Sequence, residues 1–98
     1  MVVIVWEFRV VPGSEAPFEA AYGPRGDWAD LFARAEGYLG TELLRDAALP
    51  GRYLTLDRWA TPDAFARFRA GQGEAYAALD ARCEAWTESE TRLGSFEA

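Results

Sequence analysis

The stretch VVIVWEFRVV, residues 2–11, alternates between two faces and has β-branched residues on both of them. One face is apolar throughout, and the other is apolar except for Glu7 and Arg9. A period of two with apolar side chains on both faces is typical of a strand that is covered on both sides. Pro12-Gly13 then ends the pattern. We therefore predict an internal β-strand at the start of the chain.

The next segments predict a broken helix followed by a hairpin. Ser14 opens a helix, which the Pro- and Gly-containing stretch 23–26 must interrupt. Asp27 is expected to cap a second helical piece, which carries an apolar stripe. Residues 38–46 and 52–60 then predict two strands, joined by a loop with a Pro-Gly turn.

The last third of the chain predicts a long helix and a fourth strand. A helix is expected to begin at Thr61, because a hydroxyl residue is followed by Pro at the first helical position. The apolar pattern extends it to Thr87, although Gly71 and Gly73 weaken its middle. Residues 89–96 alternate again. The resulting order, β-α-β-β-α-β, predicts an α+β fold of the ferredoxin-like type, with an antiparallel sheet and helices on one face.

The face of this sheet without helices is predicted to be apolar. By alternation it carries Val3 and Val5 of the first strand and Leu54 and Leu56 of the third. A bare apolar sheet face implies a partner, and a closed two-fold pair is the commonest solution. We therefore expect a homodimer that forms through this face of the sheet.

Length and composition exclude several classes of protein. The 98 residues fit one domain, residues 1–98, and the net charge of −6 makes nucleic-acid or anionic-membrane binding improbable. Met1-Val2-Val3 lacks the basic start of a signal peptide, and Cys83 is the single cysteine, so a cytoplasmic protein is expected. The chain has no Lys, Asn or His, which removes Ser-His and Cys-His nucleophile arrangements.

Three short motifs carry a resemblance to a known family. Val10-Val11-Pro12-Gly13 follows the first strand, Arg58-Trp59-Ala60-Thr61 ends the third, and Ala64-Phe65 opens the last helix. In this order the chain resembles the antibiotic biosynthesis monooxygenase domain family over nearly its whole length. The resemblance implies a dimeric α+β barrel with a site between the helices and the sheet of each subunit. The family includes oxygenases that convert phenols or anthrones to quinones without a cofactor, and also haem-degrading enzymes.

The resemblance also bears on single residues. Trp59 matches a Trp that is common just after the third strand, whereas Gln72 stands where members often have a His. The haem-degrading members depend on a His, an Asn and a Trp, and this chain has neither His nor Asn. We therefore expect no cofactor and no metal.

Inward-facing residues predict either an aromatic-walled pocket for a flat hydrophobic ligand or a packed aromatic core. The pocket candidates are Trp6, Phe8, Tyr22, Trp28, Phe65 and Tyr76. The catalytic candidates are Trp59, Arg69, Asp57 and Gln72. In the pocket interpretation Trp59, Trp6 and Tyr76 hold a ring, Arg69 stabilises an oxyanion, and Asp57 or Gln72 orients a hydroxyl. In the alternative, Arg69 extends outward into solvent and Asp57 forms a salt bridge with Arg69 or Arg9.

Two functions from different classes follow. The first is a cofactor-independent monooxygenase that acts on an electron-rich aromatic of the quinol or anthrone type. The second is a non-catalytic dimer that binds a small hydrophobic ligand or none. An open space between the helices and the sheet favours the first, and a space filled by Trp6, Phe65 and Tyr76 favours the second.

Overall fold

Four antiparallel strands form one sheet in the computed structural model, which describes residues 1–98. The strand order is β2-β3-β1-β4, so that β1 lies inside the sheet as its sequence predicts. The register places Val5 of β1 beside Leu56 of β3 and Gly94 of β4. The strands are β1 (Val2–Val10), β2 (Tyr38–Arg45), β3 (Arg52–Trp59) and β4 (Thr87–Glu97).

Four helices cover one face of this sheet, which gives the predicted α+β, ferredoxin-like architecture. A short 3-10 turn at Glu84–Trp86 connects the last helix to β4. None of the helices has the length and apolar character needed to cross a membrane. The helices are α1 (Glu15–Tyr22), α2 (Asp27–Phe32), α3 (Pro62–Gly71) and α4 (Gly73–Cys83).

The break between α1 and α2 falls where the sequence predicts it. Gly26 approaches α1 so closely that a Cβ atom there would lie 2.3 Å from the carbonyl oxygen of Ala20. Only glycine fits this position, because any side chain would collide with backbone that cannot move away. The expectation that Asp27 caps α2 is wrong, since Asp27 is its first helical residue and Gly26 precedes it without a side-chain cap.

The second helical region begins as expected and ends early. Thr61 caps α3, with its hydroxyl accepting a hydrogen bond from the amide of Ala64 at 3.2 Å. The prediction of one helix to residue 87 is wrong, because α3 stops at Gly71 and α4 starts at Gly73. Between them Gln72 has φ −120° and ψ 26°, outside the helical region. Gly71 and Gly73 lower the free-energy cost of interrupting the helix, since each would destabilise a continuous helix by about 1 kcal/mol relative to alanine.

The two faces of the sheet differ sharply in burial. The inner face packs against the helices and carries Phe8, Tyr53 and Trp59, all of which are buried. The outer face has no helix over it, and its four central residues, Val3, Val5, Leu54 and Leu56, are half-buried. Two further apolar side chains extend this surface, with exposed fractions of 43% for Leu44 and 53% for Phe96.

Candidate functional site

A cavity of about 240 Å³ lies between the inner face of the sheet and the helices. Its floor consists of three buried residues with short polar side chains, Thr41 of β2 and Thr55 and Asp57 of β3. The volume is below the ~300–1,000 Å³ of pockets that hold drug-sized ligands, which indicates a small ligand. The space between helices and sheet is therefore not completely filled by side chains.

Asp57 is the only carboxylate of this floor, and it is 8% exposed. Burial raises the pKa of Asp57 to about 6, although a hydrogen bond from the Thr41 hydroxyl to Oδ1 at 2.7 Å favours the charged form. None of the ion pairs of the chain includes Asp57. The predicted salt bridge with Arg69 or Arg9 is therefore wrong. An unpaired carboxyl with a pKa near neutrality can accept a proton from a bound ligand.

Thr41 links Asp57 to a second hydroxyl. The Tyr38 hydroxyl lies 2.7 Å from Thr41 Oγ1, and because Thr41 donates its own proton to Asp57, Tyr38 donates to Thr41. Sequence reasoning missed both residues. The register of β2 against β3 shifts between Tyr38 and Gly40, so simple alternation along β2 does not place Thr41 beside Asp57.

Aromatic side chains form the walls of the cavity. Trp28 and Tyr76 meet edge to face with ring centroids 4.9 Å apart, and Phe8 lies 4.9 Å from Tyr22. Burial raises the pKa of Tyr22 and Tyr76, so both phenols stay protonated at neutral pH. Five of the six wall residues are among the predicted pocket residues, and Phe32 was missed because its place on the apolar stripe is equally typical of core. The wall residues are Trp6, Phe8, Tyr22, Trp28, Phe32 and Tyr76.

Three exposed charged residues form the rim of the cavity: Arg69 of α3, Asp80 of α4 and Glu90 of β4. The Arg69 guanidinium lies over the Tyr76 ring, 4.1 Å from its centroid, so this side chain turns toward the cavity mouth while remaining exposed. Partial burial raises the pKa of Glu90, and the nearby carboxylates of Asp80 and Glu84 raise it further. The rim therefore combines one cation with a pair of mutually repelling acids.

Three of the predicted residues lie outside the lining of this cavity. Trp59 is fully buried, and its ring is surrounded by other aromatic rings at centroid distances of 5.3–5.6 Å. Phe65 packs on Trp59 at 5.3 Å. Gln72 sits in the α3–α4 break, where its Oε1 accepts a 3.5 Å hydrogen bond from Arg34. The break accounts for the position of Gln72, since a continuous helix would have placed it on the inward stripe.

The residues present do not fit a metal ion or a haem group. No three His, Cys, Asp or Glu side chains are placed to hold a metal, and the chain has no His. Cys83 is buried, and burial raises the pKa of its thiol, which disfavours the thiolate that a metal requires. The cavity is also small for a porphyrin.

The sequence pattern of antibiotic biosynthesis monooxygenases matches residues 1–78 of this chain. The chain belongs to this family. Solved structures agree with this assignment. The structure of a point variant of SnoaB, a cofactor-independent oxygenase from Streptomyces nogalater, superposes on this chain with a TM-score of 0.81 at 27% sequence identity. The superposition covers 99% of this chain and 91% of that chain. Family and structural neighbour together support a monooxygenase-like role.

Solved structures with lower sequence identity to this chain share its fold. PA3566 from Pseudomonas aeruginosa gives a TM-score of 0.68 at 15% identity, over 99% of this chain and 92% of that chain. A variant of MhuD with two manganese protoporphyrin IX groups per active site gives 0.74 at 24% identity, over 100% and 94%. No curated protein matches the sequence.

Proposed function

We propose that this chain is a cofactor-independent monooxygenase that acts on a small electron-rich aromatic with a quinol- or anthrone-type hydroxyl or methylene group. The observation that carries the proposal is Asp57, a buried carboxyl with a pKa of about 6 on the floor of an aromatic-walled cavity. An oxygenase without a cofactor needs little more than a base beside the substrate and walls that exclude water.

The proposed reaction uses only the substrate and molecular oxygen. Asp57 removes a proton from the substrate, and the resulting anion is electron-rich enough to react with oxygen. A new carbon–oxygen bond forms at the ring carbon, and the intermediate loses water to give the quinone. One oxygen atom stays in the product as a carbonyl and the other leaves as water. The substrate supplies all four electrons, so the reaction balances without an external reductant.

Three parts of the cavity have distinct roles in this proposal. Trp6, Trp28 and Tyr76 hold the ring by stacking and edge contacts. Arg69, stacked on Tyr76 at the rim, supplies positive charge that stabilises the substrate anion. Thr41 orients the Asp57 carboxylate, since it donates a hydrogen bond to one of its two oxygens.

Oxygen uptake tests the proposal. We expect the purified protein, with no added cofactor, to consume oxygen with anthrone or a dihydroxynaphthalene well above the uncatalysed rate, and ¹⁸O₂ to label the quinone. Asp57→Asn should lower the rate by about 10²-fold or more, as expected when a general base is removed. Asp63→Asn makes the same chemical change on an exposed helical turn outside the cavity and should retain the rate.

Two results would contradict the oxygenase proposal. If wild type shows no uptake with any of these compounds, yet binds them, the chain is better explained as a non-catalytic protein for hydrophobic ligands. If Asp57→Asn keeps the full rate, the carboxylate is not the base. The open cavity favours the catalytic role over the second function, because it leaves Asp57 accessible to a ligand.

The outer face of the sheet supports a homodimer as part of the same proposal. Val3, Val5, Leu54 and Leu56 form a half-buried apolar surface that a second copy would cover. Val5→Arg places a charge at its centre and should convert the protein to a monomer in light scattering after gel filtration. Ala78→Arg, on the exposed side of α4, is the matched control and should leave the dimer intact. A monomeric wild type, or a dimeric Val5→Arg protein, would refute this interface.

A further inference from the structure

The floor of the cavity contains a buried hydroxyl without a partner. Apart from tyrosine, tryptophan and cysteine, the buried polar residues of the chain are Thr41, Thr55 and Asp57, and all three line the cavity. Thr41 and Asp57 are hydrogen-bonded to each other. Thr55 is 4% exposed, and no side-chain hydrogen bond of the chain includes it. Buried polar groups are nearly always hydrogen-bonded, so this exception requires an explanation.

The Thr55 hydroxyl faces the open space of the cavity. Thr55 lies on the inner face of β3, where the register pairs it with the wall residue Trp6. The fully enclosed side-chain atoms that lack a hydrogen bond are the indole nitrogens of Trp28 and Trp59, and the Thr55 oxygen is not one of them. The hydroxyl therefore has neither a partner nor a covering side chain, and its accessible surface belongs to the cavity.

Packing alone does not account for a threonine at this position. Valine has the same branched shape, is equally suited to a strand, and would place no hydroxyl among the aromatic walls. An unpaired hydroxyl in such surroundings lowers stability relative to valine. A polar group that lowers stability and opens into a mostly aromatic cavity is typical of a ligand-binding position.

Thr55 and Asp57 are placed to contact one ligand at two points. They lie two residues apart on the same face of β3, so their side chains stand side by side with about 6.6 Å between the Cα atoms. Two oxygens on adjacent carbons of an aromatic ring are too close together to reach both groups. Oxygens on opposite carbons of one ring lie much farther apart and fit this spacing better.

We propose that the Thr55 hydroxyl binds a second oxygen of the substrate, on the ring carbon opposite the position that Asp57 deprotonates. This inference rests on the proposed function and specifies its substrate: a ring with an oxygen in para relation to the reacting hydroxyl or methylene group. Thr55 donates a hydrogen bond to that oxygen, and Asp57 contacts the reacting group at the other end of the ring. Thr55 thereby orients the ring and discriminates against phenols that lack this oxygen.

Two pairs of phenols test this role by calorimetry. 4-Methoxyphenol carries an acceptor oxygen opposite its hydroxyl, and 4-ethylphenol has a similar shape without that oxygen. Comparing the ratio of their Kd values between wild type and Thr55→Val cancels their difference in hydrophobicity. We expect the Kd of 4-methoxyphenol relative to 4-ethylphenol to rise about three- to tenfold in Thr55→Val, the net effect of one hydrogen bond. The ratio of 2-methoxyphenol to 2-ethylphenol should be the same in both proteins.

Thr91→Val is the matched control, because it makes the same change at an exposed position of β4 outside the cavity lining. It should keep the wild-type ratio. Urea denaturation gives a second readout. Thr55→Val should be at least as stable as wild type, since it breaks no hydrogen bond, and a clear loss of stability would assign the hydroxyl a structural partner and overturn the inference.

The binding data can also contradict the inference in three ways. If all four phenols bind and the para ratio is unchanged in Thr55→Val, the hydroxyl contacts only water, and the inference fails while the oxygenase proposal stands. If the ratio changes in Thr41→Val instead, the second oxygen lies at Thr41 and the assignment to Thr55 is wrong. If none of the phenols binds, Thr55 holds no ring. Oxygen uptake with anthrone or a dihydroxynaphthalene then decides separately whether the proposed function stands.

Discussion

Asp57 and Trp59 lie two residues apart on the same face of β3, and their surroundings are opposite. Trp59 is fully buried in a cluster of rings, whereas Asp57 borders a cavity of about 240 Å³. We define the Trp59 cluster by Phe32, Tyr38, Trp59, Phe65 and Phe68, in which every other ring lies within 5.3–5.6 Å of Trp59.

The difference between the two regions comes from the side chains that the strands supply. In the Trp59 cluster, β2 and β3 contribute Tyr38 and Trp59, which are large enough to reach the helices. At the cavity the same strands contribute Thr41, Thr55 and Asp57, which are short. The helices above bring aromatic residues to both regions. Small polar residues on the sheet therefore create the cavity, and large aromatic ones stabilise the fold beside it.

The largest expected effect is on stability and comes from the Trp59 cluster. Trp59→Ala should lower the free energy of unfolding by about 3–5 kcal/mol, because it removes a fully buried ring from close-packed neighbours. Trp6→Ala, at the half-buried wall of the cavity, should cost less than half as much. Urea denaturation of both variants at one protein concentration measures the difference. Equal losses would mean that the cavity wall is packed as tightly as the cluster.

The sequence predicts the fold well because each element depends on local patterns. Alternation in β1 and β3 correctly assigned Trp6, Asp57 and Trp59 to the inner face. Alternation identifies a face but says nothing about the volume left above it. For this reason Trp59 and Asp57 could not be separated into packed core and cavity floor until the helices were placed.

Two local irregularities of the backbone account for further differences between prediction and structure at the candidate site. The register shift near Gly40 brings Thr41 beside Asp57, and it depends on backbone geometry with no clear composition signal. The break at Gln72 lies between Gly71 and Gly73, and these two glycines are the sequence signal for it. Both errors concern the candidate site, because small shifts of backbone decide which side chains meet there.

The second effect is a dependence of stability on pH at the cavity floor. The pKa of Asp57 rises from 3.8 to about 6 on folding, mainly through burial. Well below the unfolded pKa of 3.8 the carboxyl is protonated in both states, so no penalty exists. Between the two pKa values, 3.8 and about 6, the unfolded chain ionises while the folded protein does not. The folded state therefore loses up to about 3 kcal/mol over this range, and the loss stays constant at higher pH.

Asp57→Asn should remove this loss. Relative to wild type, the variant should be more stable at pH 8 by about 1–3 kcal/mol and should show a flatter stability profile between pH 4 and 7. Denaturation at a series of pH values measures both quantities, with Asp63→Asn as the exposed control. A variant whose profile parallels that of wild type would show that Asp57 keeps its ordinary pKa in the folded protein.

A third, smaller effect concerns the hydroxyl that holds Asp57. Thr41→Val keeps the shape of the side chain and removes the hydrogen bond to Oδ1, so the ionised carboxylate loses support. The pKa of Asp57 should rise by about one unit. The acid limb of the pH–rate profile should shift to higher pH by the same amount. An unaltered rate at high pH would show that Thr41→Val changes the pKa of Asp57 and does not unfold the protein. Arg69, Tyr76, Asp80, Tyr22, Tyr38 and Glu90 are the other titratable or charged groups near this carboxyl.

The smallest effect belongs to Tyr38, which touches both regions. Its ring packs on Trp59 at 5.3 Å, and its hydroxyl donates to Thr41, which in turn donates to Asp57. Tyr38→Phe keeps the ring in the Trp59 cluster and removes only the outer hydrogen bond. Without the Tyr38 hydroxyl, the hydrogen bond that Thr41 donates to the Asp57 carboxylate becomes weaker. The pKa of Asp57 should therefore rise by a few tenths of a unit, less than in Thr41→Val. ¹³C NMR titration of the Asp57 carboxyl resolves the two shifts. A shift in Tyr38→Phe as large as that in Thr41→Val would mean that Tyr38 acts on Asp57 by a route other than Thr41, and that the two regions are more strongly coupled than their packing indicates.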